Sequence, residues 1–251
     1  MSTEKSLAIV IRVVEFSESS CVVTMFTREF GKIGALAKGA RRPKSPFEAA
    51  LDLLAICRVV FIRKSSDALD LLTEARLERR FRAASRDLAR LYAGYYVAEL
   101  LRELTDNGDP HPELFDAAVE TLVELDGQGD VPSLVLRFEL NMLRFLGHLP
   151  MWDACVGCGQ PAVAGPRVAF GPLAGGVLCG RCRVGQRQVI SVSAGVIRTL
   201  QRFSEAEAEA WRRTVVDRQQ RGEIRGLMNH YMTGLIGKRP LLLAYLGSLT
   251  T

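Results

Sequence analysis

The chain has 251 residues, 48% of them hydrophobic and 24% charged, proportions ordinary for a globular protein of two or three domains or one large one. No apolar run approaches the roughly 18 residues of a membrane span, and Met-Ser-Thr-Glu-Lys-Ser is no export signal, so a reducing cytoplasm is expected. The net charge of +5 is unevenly spread: residues 1–80 carry 14 basic and 10 acidic side chains, 82–154 carry 6 and 13, and 155–251 carry 13 and 5. That order suggests a polyanion touching the two ends of the chain while the middle faces something else.

Residues 7–80 read as an all-β unit. Leu7–Phe16 and Cys21–Thr27 are apolar and β-branched runs around the turn-like Ser17–Ser20, with Phe16, Phe26 and Phe61 assigned to the core. Arg28–Gly31 makes a hairpin loop with Gly31 available for the left-handed position, and Lys32–Lys38 continues as a third strand. Gly39–Ser45 is a basic loop, and Leu51–Arg63 and Leu69–Leu77 supply two more strands, although Ala49–Ile56 equally suits a helical turn. Five short strands suit an OB-fold, the small barrel that often binds nucleic acid.

From Phe81 the period becomes helical. Leu88, Leu91, Tyr95, Ala98, Leu101 and Leu104 mark one helix, stopped by Asn107-Gly108. His111-Pro112-Glu113 opens a second that runs to Leu125, and Pro132 opens a third, ended by Gly147–Pro150. Further helices are predicted over Ser191–Phe203, with Ser191 or Ser193 as N-cap, over Glu205–Gln220, and over Gly222–Ile236, closed by Gly237. The apolar tail Pro240–Leu249 is expected to pack back onto them. The expected organisation is α+β: an OB-fold domain over 1–80 and a helical domain over 81–251, interrupted at 151–187 by an inserted module.

That module is defined by Cys155-Val156-Gly157-Cys158 and Cys179-Gly180-Arg181-Cys182, with a short hairpin expected between them. Zinc takes four thiolates tetrahedrally, and two intervening residues let one tight turn present both sulfurs of a pair. A disulfide framework would need an oxidising compartment, a redox Cys-x-x-Cys sits once beside a βαβ pattern, and a catalytic zinc keeps an open position. One structural zinc per chain is the expectation for Cys155, Cys158, Cys179 and Cys182. Cys21 and Cys57 read as buried small hydrophobes.

Arg28, Lys32, Lys38, Arg41, Arg42 and Lys44 place six cations in seventeen residues against one acid, Glu29. Such a run is usually a solvated face, but on one side of a small barrel it matches a strand-binding groove. With only Phe30 and Phe47 in loops nearby, affinity is expected to come from phosphates and to be indifferent to sequence. Arg181, Arg183, Arg187, Arg198 and Arg202 are candidates for a second DNA or partner surface, whereas Arg212 and Arg213 suit pairing with neighbouring glutamates. There is no Gly-x-x-x-x-Gly-Lys-Ser/Thr and no Gly-x-Ser-x-Gly, and His111, His148 and His230 are far apart, so no catalytic site is expected. The alternatives are a zinc-containing RNA- or transcription-associated binding module, a hydrolase with a concealed site, or a scaffold that binds only proteins.

Several segments together resemble the RecO family: Thr27-Arg28-Glu29-Phe30-Gly31-Lys32, Ala37-Lys38-Gly39-Ala40-Arg41-Arg42-Pro43-Lys44-Ser45, Arg137-Phe138-Glu139, Leu146-Gly147-His148-Leu149-Pro150, Cys155-Val156-Gly157-Cys158-Gly159 and Gly175-Gly176-Val177-Leu178-Cys179. His148 departs from the aromatic residue common there, and some members lack the cysteines, all four of which this chain has. The resemblance implies an OB-fold followed by a helical domain holding a zinc module. It implies a recombination mediator of DNA repair that binds single- and double-stranded DNA, anneals complementary strands, and loads RecA onto DNA coated by single-strand-binding protein (SSB). RecR and in some systems RecF are the implied partners, with the acidic C-terminal tail of SSB docking on the helical domain. The implied location is the bacterial cytoplasm, on the nucleoid.

Overall fold

The computed structural model describes every residue except 1, 44, 46, 48–49, 65–67, 84–86, 162–164, 206–208 and 247–251. Its contacts divide the chain into two compact units, Met1–Gly129 and Asp130–Thr251. No helix among the described residues is long and apolar enough to cross a membrane.

The first unit is built on five strands, β1 (Ser2–Glu15), β2 (Cys21–Thr27), β3 (Gly31–Ala37), β4 (Ile56–Arg63) and β5 (Asp70–Arg79). They close into a barrel in the order β1-β2-β3-β5-β4, the OB-fold expected from the sequence, with β3 and β5 parallel and the other pairs antiparallel. Period-two alternation produces it. Val23 and Met25 on β2, Ile33 and Ala35 on β3, and Val59 and Phe61 on β4 point into one core, joined by Val10 and Leu72. β1 serves two neighbours, Ser2–Ile9 pairing with β4 and Ala8–Glu15 with β2, and a bulge between Val10 and Arg12 bends it between the two.

The strand expected over Leu51–Arg63 starts only at Ile56. The preceding residues form turns, because Leu54 is buried at φ +66° with its amide bonded to the Val10 carbonyl, and the Val10 amide returns to Ala55. Phe16 is the other correction. It lies one residue past the end of β1, beyond the barrel, and is 64% exposed, whereas Phe26 and Phe61 are fully buried as expected.

Helices α1 (Leu88–Leu104) and α2 (Pro112–Leu125) complete the first unit. The Asp87 side chain caps α1 through the Ala89 amide at 2.8 Å, and Pro112 occupies the first turn of α2, where its missing N–H costs nothing. Phe115 of α2 packs on Phe26 of the barrel, ring centroids 6.3 Å apart. The secondary structure therefore changes from strand to helix near residue 80, while the compact unit runs on to Gly129.

The second unit comprises α3 (Val131–Phe145), a three-stranded sheet β7-β6-β8 (β6 Arg167–Gly171, β7 Gly176–Leu178, β8 Ile190–Ser193), α4 (Ala194–Ser204), α5 (Arg218–Ile236) and α6 (Leu243–Leu246). Ser193 is the N-cap of α4, its hydroxyl accepting from Val196. The helix expected over Glu205–Gln220 is instead a 3-10 turn at Glu209–Arg213 followed, after Asp217, by the start of α5, which runs unbroken through Gly222 and Gly226. Each interior glycine costs about 1 kcal/mol against alanine. Burial of Ile224, Leu227, Met228, Tyr231 and Met232 outweighs that cost. In the tail Leu243 is buried; residues 247–249 lie outside the described residues.

Candidate nucleic-acid interface and metal centre

The six cations of residues 28–44 separate into distinct environments. Arg28 makes a two-pronged ion pair with Asp116 of α2, Nε and Nη2 each 2.9 Å from a carboxylate oxygen, and this acceptor holds its pKa above the usual guanidinium value. Lys32 is half-buried. Its ammonium donates to the Arg102 carbonyl at 2.7 Å and to that of Thr105, at the end of α1, and burial pulls its pKa down. Between them, Gly31 has φ +66°, and a Cβ there would lie 2.0 Å from the Asp109 carbonyl oxygen, so only glycine fits. Lys32 thus fastens α1 to the barrel and Arg28 fastens α2, with the Arg28 side chain still 40% exposed.

Lys38, Arg41 and Arg42 face water. Arg41 lies 3.0 Å from the Glu15 carboxylate and donates to the Ser17 carbonyl, while its amide donates to Ser19 and that of Gly39 to the Ser20 hydroxyl. The basic loop after β3 is thereby stitched to the β1–β2 loop. Lys38 and Arg42 are exposed on it and, among the described residues, have no carboxylate partner; Lys44 lies outside the described residues. Phe30 and Phe47, expected as loop aromatics, are instead absorbed by the barrel: Phe47 is buried, and Phe30 packs edge-on against Phe61 at 5.5 Å.

In the second unit Arg181, Arg183 and Arg187 are exposed beside the second cysteine pair, and Arg198 and Arg202 are exposed one turn apart on α4. Other arginines have structural work. Arg221 pairs with Asp130 at 3.2 Å, Arg225 reaches the buried Glu139 at 2.6 Å, and Arg212 lies over the Trp211 ring at 4.6 Å.

The four cysteines come together, every sulfur within 4.8 Å of the others. The Cys158 and Cys179 sulfurs are 3.8 Å apart. That is too far for a disulfide of about 2.05 Å, and it equals the edge, about 3.8 Å, of a tetrahedron with metal–sulfur bonds of about 2.3 Å. Backbone amides point at the sulfurs, from Cys179 to Cys155 at 3.3 Å and from Cys182 to Cys179 at 3.4 Å. The Cys179 amide leads the donors that bring the Cys155 thiol down to about 6, whereas hydrogen bonding to Cys179 and the other sulfurs pushes Cys182 up to about 12. A divalent ion at the centre suits all four as thiolates.

The hairpin β6–β7 carries the pairs. Val156 N–H donates to the Val177 carbonyl, and Gly176 has no room for a Cβ, which would approach Met151 O to 2.5 Å. Trp152 stacks on Phe170, Phe170 meets Tyr231 edge-on, and the Tyr231 hydroxyl donates to the His148 carbonyl at 2.8 Å. His148 contributes its backbone there, so an aromatic side chain is not required for that bond.

Comparison with known proteins agrees with this architecture. Residues 1–81 match the family model "Recombination protein O N terminal" and residues 85–242 match "Recombination protein O C terminal". Among curated relatives, "DNA repair protein RecO" of Rhodopirellula baltica is 50% identical over 188 residues, 74% of this chain and 70% of its own. Proteins of the same name from Anaeromyxobacter dehalogenans and Myxococcus xanthus are 35% and 33% identical over 96% and 92% of both chains.

Proposed function

The chain belongs to the RecO family of DNA repair proteins, and we propose that it is a recombination mediator that acts by binding alone. In this reading the barrel rim binds single- and double-stranded DNA, complementary strands anneal on it, and RecA is helped onto SSB-coated DNA. The observation that carries it is the pair Lys38 and Arg42, exposed and, among the described residues, without carboxylate partners, on a loop pinned at one end of the closed OB barrel.

Annealing requires no bond chemistry. Phosphate repulsion opposes the approach of two strands; cations that neutralise it speed encounter, and their salt-labile grip releases the duplex. No nucleophile–base pair needs to be invoked, and we assign no catalytic residue. Zinc is the metal we assign to Cys155, Cys158, Cys179 and Cys182, because a closed tetrahedral set of four sulfurs is a structural zinc site and leaves no position for substrate. RecR, RecA, the SSB tail and in some settings RecF are the partners we assign, on the bacterial nucleoid. Arg198 and Arg202 on α4 are suited to the acidic SSB tail, and Arg181, Arg183 and Arg187 to DNA or a partner.

The decisive experiment measures annealing of complementary oligonucleotides coated with the cognate SSB, comparing the wild type with Lys38→Glu/Arg42→Glu. Acceleration by the wild type, lost in a folded variant, is expected. No acceleration by zinc-loaded wild type at low salt would overturn the mediator reading.

A further inference from the structure

Phe16 occupies an unusual place for a large aromatic side chain. It follows the last residue of β1, is 64% exposed, and sits beside Val13 and Val14, which are 41% and 40% exposed. Single exposed apolar residues are common on protein surfaces. Here three exposed apolar residues fall within four positions at the end of β1, Val13 and Val14 on opposite faces of the strand and Phe16 beyond it. Its loop is closed on itself: the amides of Phe16 and Ser17 both donate to the Ser20 carbonyl, and the Ser20 amide donates to the Ser17 hydroxyl at 3.2 Å. The ring therefore stands on a short, internally bonded turn, and little conformational freedom remains to be lost when something stacks on it.

The neighbourhood is cationic. The bonds from Arg41 and Gly39 to Ser17, Ser19 and Ser20 hold the basic loop against this turn, bringing Lys38 and Arg42 to the same rim, and Arg12 is exposed on β1. Among the described residues Glu15 and Glu18 share the region, and Glu15 is engaged by Arg41. An aromatic face flanked by unneutralised cations is the combination that holds single-stranded nucleic acid: bases stack while phosphates meet the charges. The β1–β2 loop of an OB barrel is also one of its usual oligonucleotide-contacting loops. A protein partner would need matching carboxylates as well as an apolar patch; single-stranded DNA supplies both complements along one backbone.

We propose that Phe16 is a base-stacking platform, so that the rim distinguishes unpaired from paired DNA: Lys38 and Arg42 hold either form, and Phe16 grips only bases that are free to stack. This rests on the barrel-rim reading above and adds to it a selectivity that charge alone does not provide.

The test is equilibrium binding of the full-length, zinc-loaded protein to a fluorescein-labelled mixed-sequence single strand and to the corresponding duplex. It compares wild type, Phe16→Ala, Phe16→Leu, Phe16→Tyr and Lys38→Glu/Arg42→Glu, with thermal melts as the folding control. Phe16→Ala and Phe16→Leu are expected to weaken single-strand binding about tenfold, within the range of one stacked base, and to leave duplex binding within twofold. Phe16→Tyr should bind like wild type, and the charge variant should lose both substrates. If Phe16→Ala keeps its single-strand affinity, or loses both affinities equally, the stacking platform is refuted while the charge variant still reports on the rim. If wild type binds neither substrate, the rim reading and this inference fall together.

Discussion

An ammonium group is rarely withdrawn from water unless each lost hydration bond is replaced, and Lys32 meets that condition. The last carbonyls of α1 have no helical donor of their own, and Lys32 Nζ supplies one to Arg102 and Thr105. Hydrogen bonds to charged groups contribute about 1.5–3 kcal/mol each. Lys32→Ala is therefore expected to destabilise the first unit by about 2–3 kcal/mol while leaving single-strand affinity below the melting temperature within twofold. Denaturant titration alongside binding checks both; a tenfold affinity loss at unchanged stability would return Lys32 to the interface. Sequence could not separate Lys32 and Arg28 from Lys38 and Arg42, because a charge run records sign and spacing but not partners. Arg28 finds Asp116 88 positions away. Phe16 was misassigned for a related reason: the apolar run of β1 continues past the point where the barrel ends.

Elements were more legible than residues wherever one period dominated. β2 and β3 alternate almost perfectly between core and surface, and α2 buries a stripe at helical spacing, whereas α1 is buried on all sides over Tyr96–Leu101. Legibility failed where tertiary contact overrode local preference, at the turns before Ile56 held by Val10 and along α5 through its glycines. The cysteine module was the most readable part, because metal geometry dictates the spacing within each pair. Plasma mass spectrometry of protein purified without chelator should find about one zinc per chain. Cys155→Ser should lower that content and the stability of the second unit, with barrel binding to DNA intact; well under one zinc in the wild type would reject the assignment. Cys155 is the informative position, since its sulfur receives the Cys179 amide and its carbonyl accepts from Cys158 and Gly159.

For the whole molecule, the partition at Gly129 makes a claim that family boundaries near residues 81–85 do not. If Arg28, Lys32 and Gly31 fasten α1 and α2 to the strands, a fragment of residues 1–129 should fold cooperatively and retain single-strand binding. Residues 1–80 alone would leave Lys32 without acceptors and Phe26 without Phe115. Thermal melts and proton NMR dispersion of both fragments decide it: an equally stable 1–80 fragment would make the helices mere passengers. The sequence placed the change from strand to helix correctly, but which helices belong with the strands depends on long-range pairs that leave no local signature.

The two-sided use of β1 also governs how the chain can assemble during synthesis. β2 and β3 follow immediately and can pair at once, but Ser2–Ile9 must wait for β4, and closure waits for β5, which ends at Arg79. At about 5–20 residues per second, the 36 residues from the end of β2 at Thr27 to the end of β4 at Arg63 leave the first strand half-paired for roughly 2–7 s. An unpaired apolar strand is a template for other chains, and Leu7–Ile11 is strongly apolar. Glu4 and Lys5, beside that run and opposite Phe61 and Val60 in the finished barrel, put charge on the waiting edge.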